Sequence, residues 1–301
     1  MIDTPRTRRR RDERAAYALL SPFLALLLVF TFLPTAATFW LAWWRWDPLA
    51  EQEWAGAGNF TRLAADPRFW NAAQNTIAIT LIVVVAQLVI GLGLAHVAHE
   101  AASRWVRVVQ MSFLIPFVTS GAAVTILVAQ LIDPDHGAVP RGLALIGLDD
   151  VDLLSMPPTA WAVVAGIVVW RGFGFTALLM LATLSATPRE LSQAAELDGA
   201  GSWHRFRFLT IPLLGPVIVF TSLTSAVAAV QTFAEPLMID PATATCGPAR
   251  QCQTLAMLVY EIGFRESQFG YAAAAATAVF VLSAFVVASV YLVSRAWVRT
   301  G

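Results

Sequence analysis

The chain's four histidines stand at 96, 99, 136 and 204, and only His96 and His99, with Glu100 beside them, are close enough in sequence to share a metal ion or a proton. Their order is H-x-x-H-E. A zinc-protease helix uses H-E-x-x-H, in which the imidazoles bind the ion and the glutamate acts as base. These residues therefore read as polar groups at the edge of an apolar run, with an integral membrane enzyme kept as an alternative. No Ser/His/Asp set or carboxylate pair occurs at motif spacing. All 20 cationic side chains are arginine, so the lysine of a G-x-x-x-x-G-K-[ST] phosphate loop is missing, and the chain does not hydrolyse ATP by that machinery. Cys246 and Cys252 share one loop with no metal-ligand partner nearby. They form a disulfide if the loop faces an oxidising compartment, or stay two thiols; spacing alone leaves both open.

One charged residue is out of place. Arg171 lies about a dozen residues into an apolar run, where an ionised side chain costs about 3 kcal/mol unless it faces protein or a water-filled cavity. It marks the interior of the molecule. Gln87, Gln130 and Gln231 lie in other apolar runs and Glu235 closes one. With Arg171 they form a candidate substrate path. The competing assignment for Arg171 is a structural ion pair with Glu235 or a bond to a helix-end carbonyl.

These residues need a membrane to give their positions meaning, and the composition supplies one. The 301 residues are 57% hydrophobic and 13% charged, against about 25% charged in soluble domains, and mean hydropathy is +0.65. Basic and acidic residues cancel at 20 each, which leaves no global field to attract nucleic acid. Six runs of spanning length occur, at 17–44, 75–97, 106–132, 159–186, 213–234 and 271–294, which predicts an all-α polytopic membrane protein. Pro34 predicts a kink in the overlong first run. Trp40, Trp43, Trp44 and Trp46 at its far end read as an interfacial aromatic belt.

The basic segment 1–16 precedes a membrane domain over 17–301. Its arginines read as a topology signal meeting anionic lipid headgroups. Arg6, Arg8, Arg9, Arg10, Arg11, Arg14, Arg104, Arg107, Arg189, Arg205, Arg207, Arg295 and Arg299 fall on one side of the predicted membrane. The other side holds only Arg45, Arg62, Arg68, Arg141, Arg250 and Arg265. The first side is therefore expected to be cytoplasmic, with both termini and the loop 188–212.

That loop, PRELSQAAELDGAGSWHRFRFLTIP, is polar and basic between two apolar runs. A short helix over 190–197 is expected to end at Gly199 in the left-handed conformation, followed by a second over 203–209. Pro212 suits the start of the next span. Gln193, Ala194 and Ala195, then Asp198, Gly199 and Ala200, then Phe206, Leu209 and Pro212 resemble the EAA loop of permease subunits of binding-protein-dependent ABC importers. The likeness is closest to the sugar and glycerol-phosphate branch, maltose importers included. Gln193 departs from the usual glutamate and loses its charge. Gly58-Asn59-Phe60, Leu114-Ile115-Pro116, Trp170-Arg171, Cys246-Gly247-Pro248 and Phe269-Gly270-Tyr271-Ala272 resemble further features of that branch, in order.

The resemblance implies a type I importer permease fold in the cell membrane. It also implies a second permease subunit, an ATP-binding subunit dimer that carries ATP and magnesium, and an extracytoplasmic solute-binding protein. No cofactor is expected in this chain. A secondary transporter is the remaining alternative, although neither inverted repeats nor a Gly/Pro-broken helix pair is evident in the sequence.

Overall fold

A computed structural model describes residues 5–47, 52–100, 111–148 and 151–300. Arg104, Arg107 and the first part of the run at 106–132 lie outside the described residues, as do the side chains of Arg6 to Arg14, Glu100, Arg189, Arg295 and Arg299. The chain is mostly helical. It opens with α1 (Pro5–Leu27), which continues through a wide π turn at Leu28–Phe32 into α2 (Leu33–Leu41). Proline lies at the start of α2, where its missing N–H and fixed φ are tolerated. Two short strands, Trp44–Arg45 and Glu53–Trp54, pair antiparallel. Trp54 stacks on Trp43 and meets Trp44 edge-on, so the tryptophans at this end pack against one another.

The body is built on α4 (Pro67–Glu100), entered through α3 (Gly58–Ala65), and on α8 (Pro157–Ala186). Between them lie α5 (Leu114–Val118), α6 (Gly121–Ile132) and α7 (Ala138–Ala144). The start of α4 is fixed by Asp66, whose carboxylate accepts the Arg68 N–H at 2.8 Å. α8 opens on Pro157 and Pro158, where no intrahelical donor is required, and ends at Thr187, which Pro188 forces into extended backbone. Several hydroxyls inside the apolar helices turn back on their own carbonyls, as Thr125 does on Gly121 at 2.8 Å and Thr221 on Val217 at 2.9 Å, which satisfies them without water.

After α8 come α9 (Arg189–Leu197), α10 (Ser202–Arg205), a π turn at Phe206–Thr210 and α11 (Ile211–Leu213). α12 (Gly215–Val230), α13 (Ala234–Ile239), α14 (Leu255–Tyr260) and a π turn at Glu261–Arg265 then lead to α15 (Phe269–Thr300). α4 and α8 form the main packing pair, α12 lies on α4, and α15 on α12. Ile79, Val83, Val164 and Met257 are buried in one core beside the cysteine loop. Met180, Leu181, Leu184 and Leu214 are buried in another, at the end nearer α9.

Six spans are expected from the sequence; among the described residues four helices are long and apolar enough to cross a membrane: Ala16–Leu41, Pro67–His99, Pro157–Ala186 and Phe269–Leu292. A fifth arises if Ser202–Leu213 and Gly215–Val230, bent 68° apart, count as one. The run at 106–132 is not one helix over its described part. It breaks where Thr119 and Ser120 take extended backbone, and Ser120 caps α6. The run at 213–234 forms its long helix only from Gly215 to Val230, which reaches spanning length with the bent segment before it. The bend falls at Leu214, and the proline near the start of the spanning helix is Pro216, with Pro212 inside the preceding helical segment. Hydropathy missed both features because breaks made by backbone torsion leave the residues as apolar as before.

Candidate functional site

Three regions hold the residues singled out above. The first is a polar seam within the bundle. Arg171 Nη1 donates to Glu235 Oε1 at 2.6 Å, joining the middle of α8 to the first turn of α13. The Glu235 side chain is 8% exposed and that of Arg171 36%, so the carboxylate is the more desolvated partner. The guanidinium lies on Gly121, the first residue of α6. A Cβ there would come within 2.6 Å of Arg171 Nη1, so any larger residue at the helix break pushes the guanidinium aside. Arg171 Nε is buried without an acceptor among the described residues. Both the arginine and the break that receives it thus stand at one place. Ser120 and Gly121 carry no hydropathy signal; the Thr-Ser-Gly sequence after an apolar run is the cue that could have revealed them.

Gln87 is buried and bridges three helices. Its Nε2 donates to Val168 O at 3.1 Å, and its Oε1 accepts from Ser225 Oγ at 2.6 Å. Both ends of the amide are thereby used in holding α4, α8 and α12 together. Gln130 is exposed on α6, and Gln231 is exposed where α12 ends. The structure therefore brings Arg171 and Glu235 into contact and leaves the three glutamines in separate roles.

The second region is the loop at 188–212. α9 ends in a paired-bond C-cap: Ala200 N donates to Ala195 O at 2.9 Å and Gly199 N to Glu196 O at 3.0 Å. Gly199 has φ +80. This reversal needs a left-handed residue, which glycine supplies at least cost. The second segment is α10 with its π turn and α11. Arg205 pairs with Glu196 at 3.5 Å across the two segments, and the Phe206 ring lies 4.7 Å from that of His96 on α4. The loop is thus a stiff two-helix unit seated on the end of α4. Gln193, Ala194, Asp198, Gly199 and Pro212 are exposed, while Ala195, Ala200 and Phe206 are half-buried. Leu197 and Trp203 are 90% and 71% exposed. His96 is used as a ring contact for the loop.

At the other end of α4 lies the cysteine loop. Cys246 and Cys252 are joined as a disulfide with Cα atoms 5.2 Å apart, both fully buried. Around it, Arg250 grips Glu261 with two bonds of 2.6 and 2.8 Å, and Gln253 Nε2 donates to the same carboxylate at 2.6 Å. Asn75 donates to the carbonyls of Arg250 and Gln253 and accepts from Trp161 Nε1. Burial opposes ionisation of Glu261, but the bonds from Arg250 and Gln253 outweigh it and hold the carboxyl below its usual range. This network was not anticipated from the sequence. Asn71 and the buried Asn75, one turn apart on α4, are its local cue, because their carbonyl partners lie about 180 residues away.

An apolar helix bundle with an ion pair between α8 and α13 and a rigid exposed loop is the build of a membrane transport subunit. Residues 87–299 match the family described as binding-protein-dependent transport system inner membrane component. The chain is 33% identical over 284 residues to the sulfoquinovosyl glycerol transport system permease protein of Agrobacterium fabrum, covering 93% of this chain and 90% of the relative. It is 33% identical over 257 residues to the lactose transport system permease protein of Rhizobium radiobacter, covering 84% and 85%. Its fold matches a chain of a bacterial alginate ABC transporter, solved with a periplasmic protein bound to an alginate pentasaccharide, with TM-score 0.82 and 22% identity over 97% of each chain. The chain belongs to the binding-protein-dependent transport system inner membrane component family, as a permease subunit.

Proposed function

We propose that this chain is one of two membrane-spanning subunits of an ATP-driven importer of a sugar or glycerol-phosphate-like solute. Membership of the permease family carries the reading, and its curated relatives support the solute class. They include permeases for sulfoquinovosyl glycerol, lactose and sn-glycerol-3-phosphate. The arginine asymmetry puts the 188–212 loop and both termini in the cytoplasm. There the exposed Leu197 and Trp203 and the flat Ala194 surface fit a groove on a partner ATPase, which binds ATP and magnesium. The opposite face, with the cysteine loop, receives solute from an extracytoplasmic binding protein.

In this mechanism closure of the ATPase dimer pushes a loop held at Gly199 by the C-cap bonds and braced on α4 through Phe206. The push tilts α12 at the 68° bend and α4 with it, and the pathway between the two permeases changes the side to which it opens. Arg171 and Glu235 present fixed donors and acceptors beside the broken α6 segment, suited to hydroxyl groups of a passing solute. Affinity purification of the tagged chain tests the assembly. A second permease and an ATP-binding subunit should co-purify, and hydrolysis should rise with solute-loaded binding protein. A chain that purifies alone and transports alone would support a secondary transporter.

A further inference from the structure

An apolar groove of about 510 Å³ runs between α4, α12 and α15, floored by the buried Met180 of α8. Its walls include Val84 and Leu92 on α4, Val219 on α12 and Val290 on α15, and Ile211 closes one end beside the bend. Its one hydroxyl from α12, Ser222, is spent on Ile218 O at 2.6 Å. The rest of the lining is apolar apart from Ser289 of α15.

The lining from Val84 to Leu92 runs about 12 Å at 1.5 Å per residue, and its apolar side chains suit a hydrocarbon chain. A cation stands at the end closed by Ile211: Arg207 lies four residues earlier on the same continuous helical segment, exposed, with its guanidinium over the Phe208 ring at 5.8 Å. An apolar slot ending one turn from an exposed guanidinium matches an acyl chain attached to a phosphate.

We propose that this groove binds one acyl chain of an anionic membrane phospholipid whose phosphate pairs with Arg207. The lipid fills the hollow behind the bend between α11 and α12, so its occupancy stiffens the joint between the loop and the first span after it. The partner permease is the competing occupant and free phosphate the competing source of the anion.

Native mass spectrometry of the complete purified transporter, supplied with phosphatidylglycerol or phosphatidylcholine, tests this. The unmodified complex should retain one more phosphatidylglycerol than a complex carrying Val219→Trp, which fills the slot. Arg207→Gln should retain phosphatidylglycerol no better than phosphatidylcholine. Val89→Trp, at the exposed α4 wall of the same groove, should repeat the loss if Val219→Trp does not fold. Millimolar inorganic phosphate should displace nothing. Equal lipid counts in all complexes would overturn the proposal, as would loss on Arg207→Gln without loss on either tryptophan variant, which means headgroup binding only. Failure of both tryptophan variants to bind the second permease, with each chain folded, would reassign the groove to the subunit interface and overturn it too.

Discussion

Breaking the Arg171–Glu235 pair from its two sides should have unequal consequences. Arg171→Met leaves a carboxylate that is 8% exposed without its counter-ion, and stranding a buried charge this way costs about 3–5 kcal/mol. Glu235→Gln leaves an arginine whose side chain is 36% exposed and can recover hydration, while the amide oxygen still accepts from Nη1. The loss is then a weakened bond to a charged group, about 1.5–3 kcal/mol. The double variant removes the stranded charge and should recover part of the loss, with a coupling of about 0.5–3 kcal/mol. At about 2 °C per kcal/mol for a chain of this size, Arg171→Met should lower the melting temperature in detergent by about 6–10 °C. Glu235→Gln should lower it by roughly half as much. Strict additivity in the double variant, or a larger loss from Glu235→Gln, would refute the argument that burial of the carboxylate dominates. Normal transport in Arg171→Met at a temperature where it stays folded would remove the pair from the solute path.

Three further outcomes follow from other parts of the structure. Reduction under denaturing conditions should release two alkylatable thiols from Cys246 and Cys252, and none without reductant. The short loop they close stabilises by about 2 kcal/mol through chain entropy, so Cys246→Ser with Cys252→Ser should fold with modest loss. Because Glu261 sits below its usual range, its stabilising share is complete above the unfolded value near pH 4.3. It is lost as pH falls through the depressed folded value, and thermal melts of Glu261→Gln should show a smaller stability loss on acidification than the unmodified chain. At Gly199 no atom lies within 4 Å of an added Cβ, so substitution acts through φ alone. Gly199→Ala should cost about 1–2 kcal/mol, Gly199→Val should uncouple ATP hydrolysis from loaded binding protein, and unchanged coupling in Gly199→Val would make the loop a mere connector.

What the sequence disclosed was what local chemistry controls. Gly199 announced a helix end because one residue type takes that conformation cheaply, and Arg171 announced the interior because a charge in an apolar run has few places to go. What stayed hidden depends on distant partners or on torsion. The break at Thr119 and Ser120 and the bend at Leu214 change direction without changing hydropathy, so the six-run count missed them. Gln87, counted toward a solute path, turns out to tie three helices together, because only packing shows that Val168 and Ser225 meet its amide. Asn75, Trp161, Arg250 and Glu261 form one network from four separate stretches, and no local pattern joins them.

The central claim is that the 188–212 loop is the surface through which a partner ATPase acts. Gln193→Cys is exposed, and the native cysteines are buried in their disulfide, so a single thiol reports on the contact. Cross-linking of the assembled complex from this position should capture the ATP-binding subunit, with a yield that changes between nucleotide-free and ATP-trapped states. Capture of no subunit from residue 193, with the complex intact and active, would contradict the account.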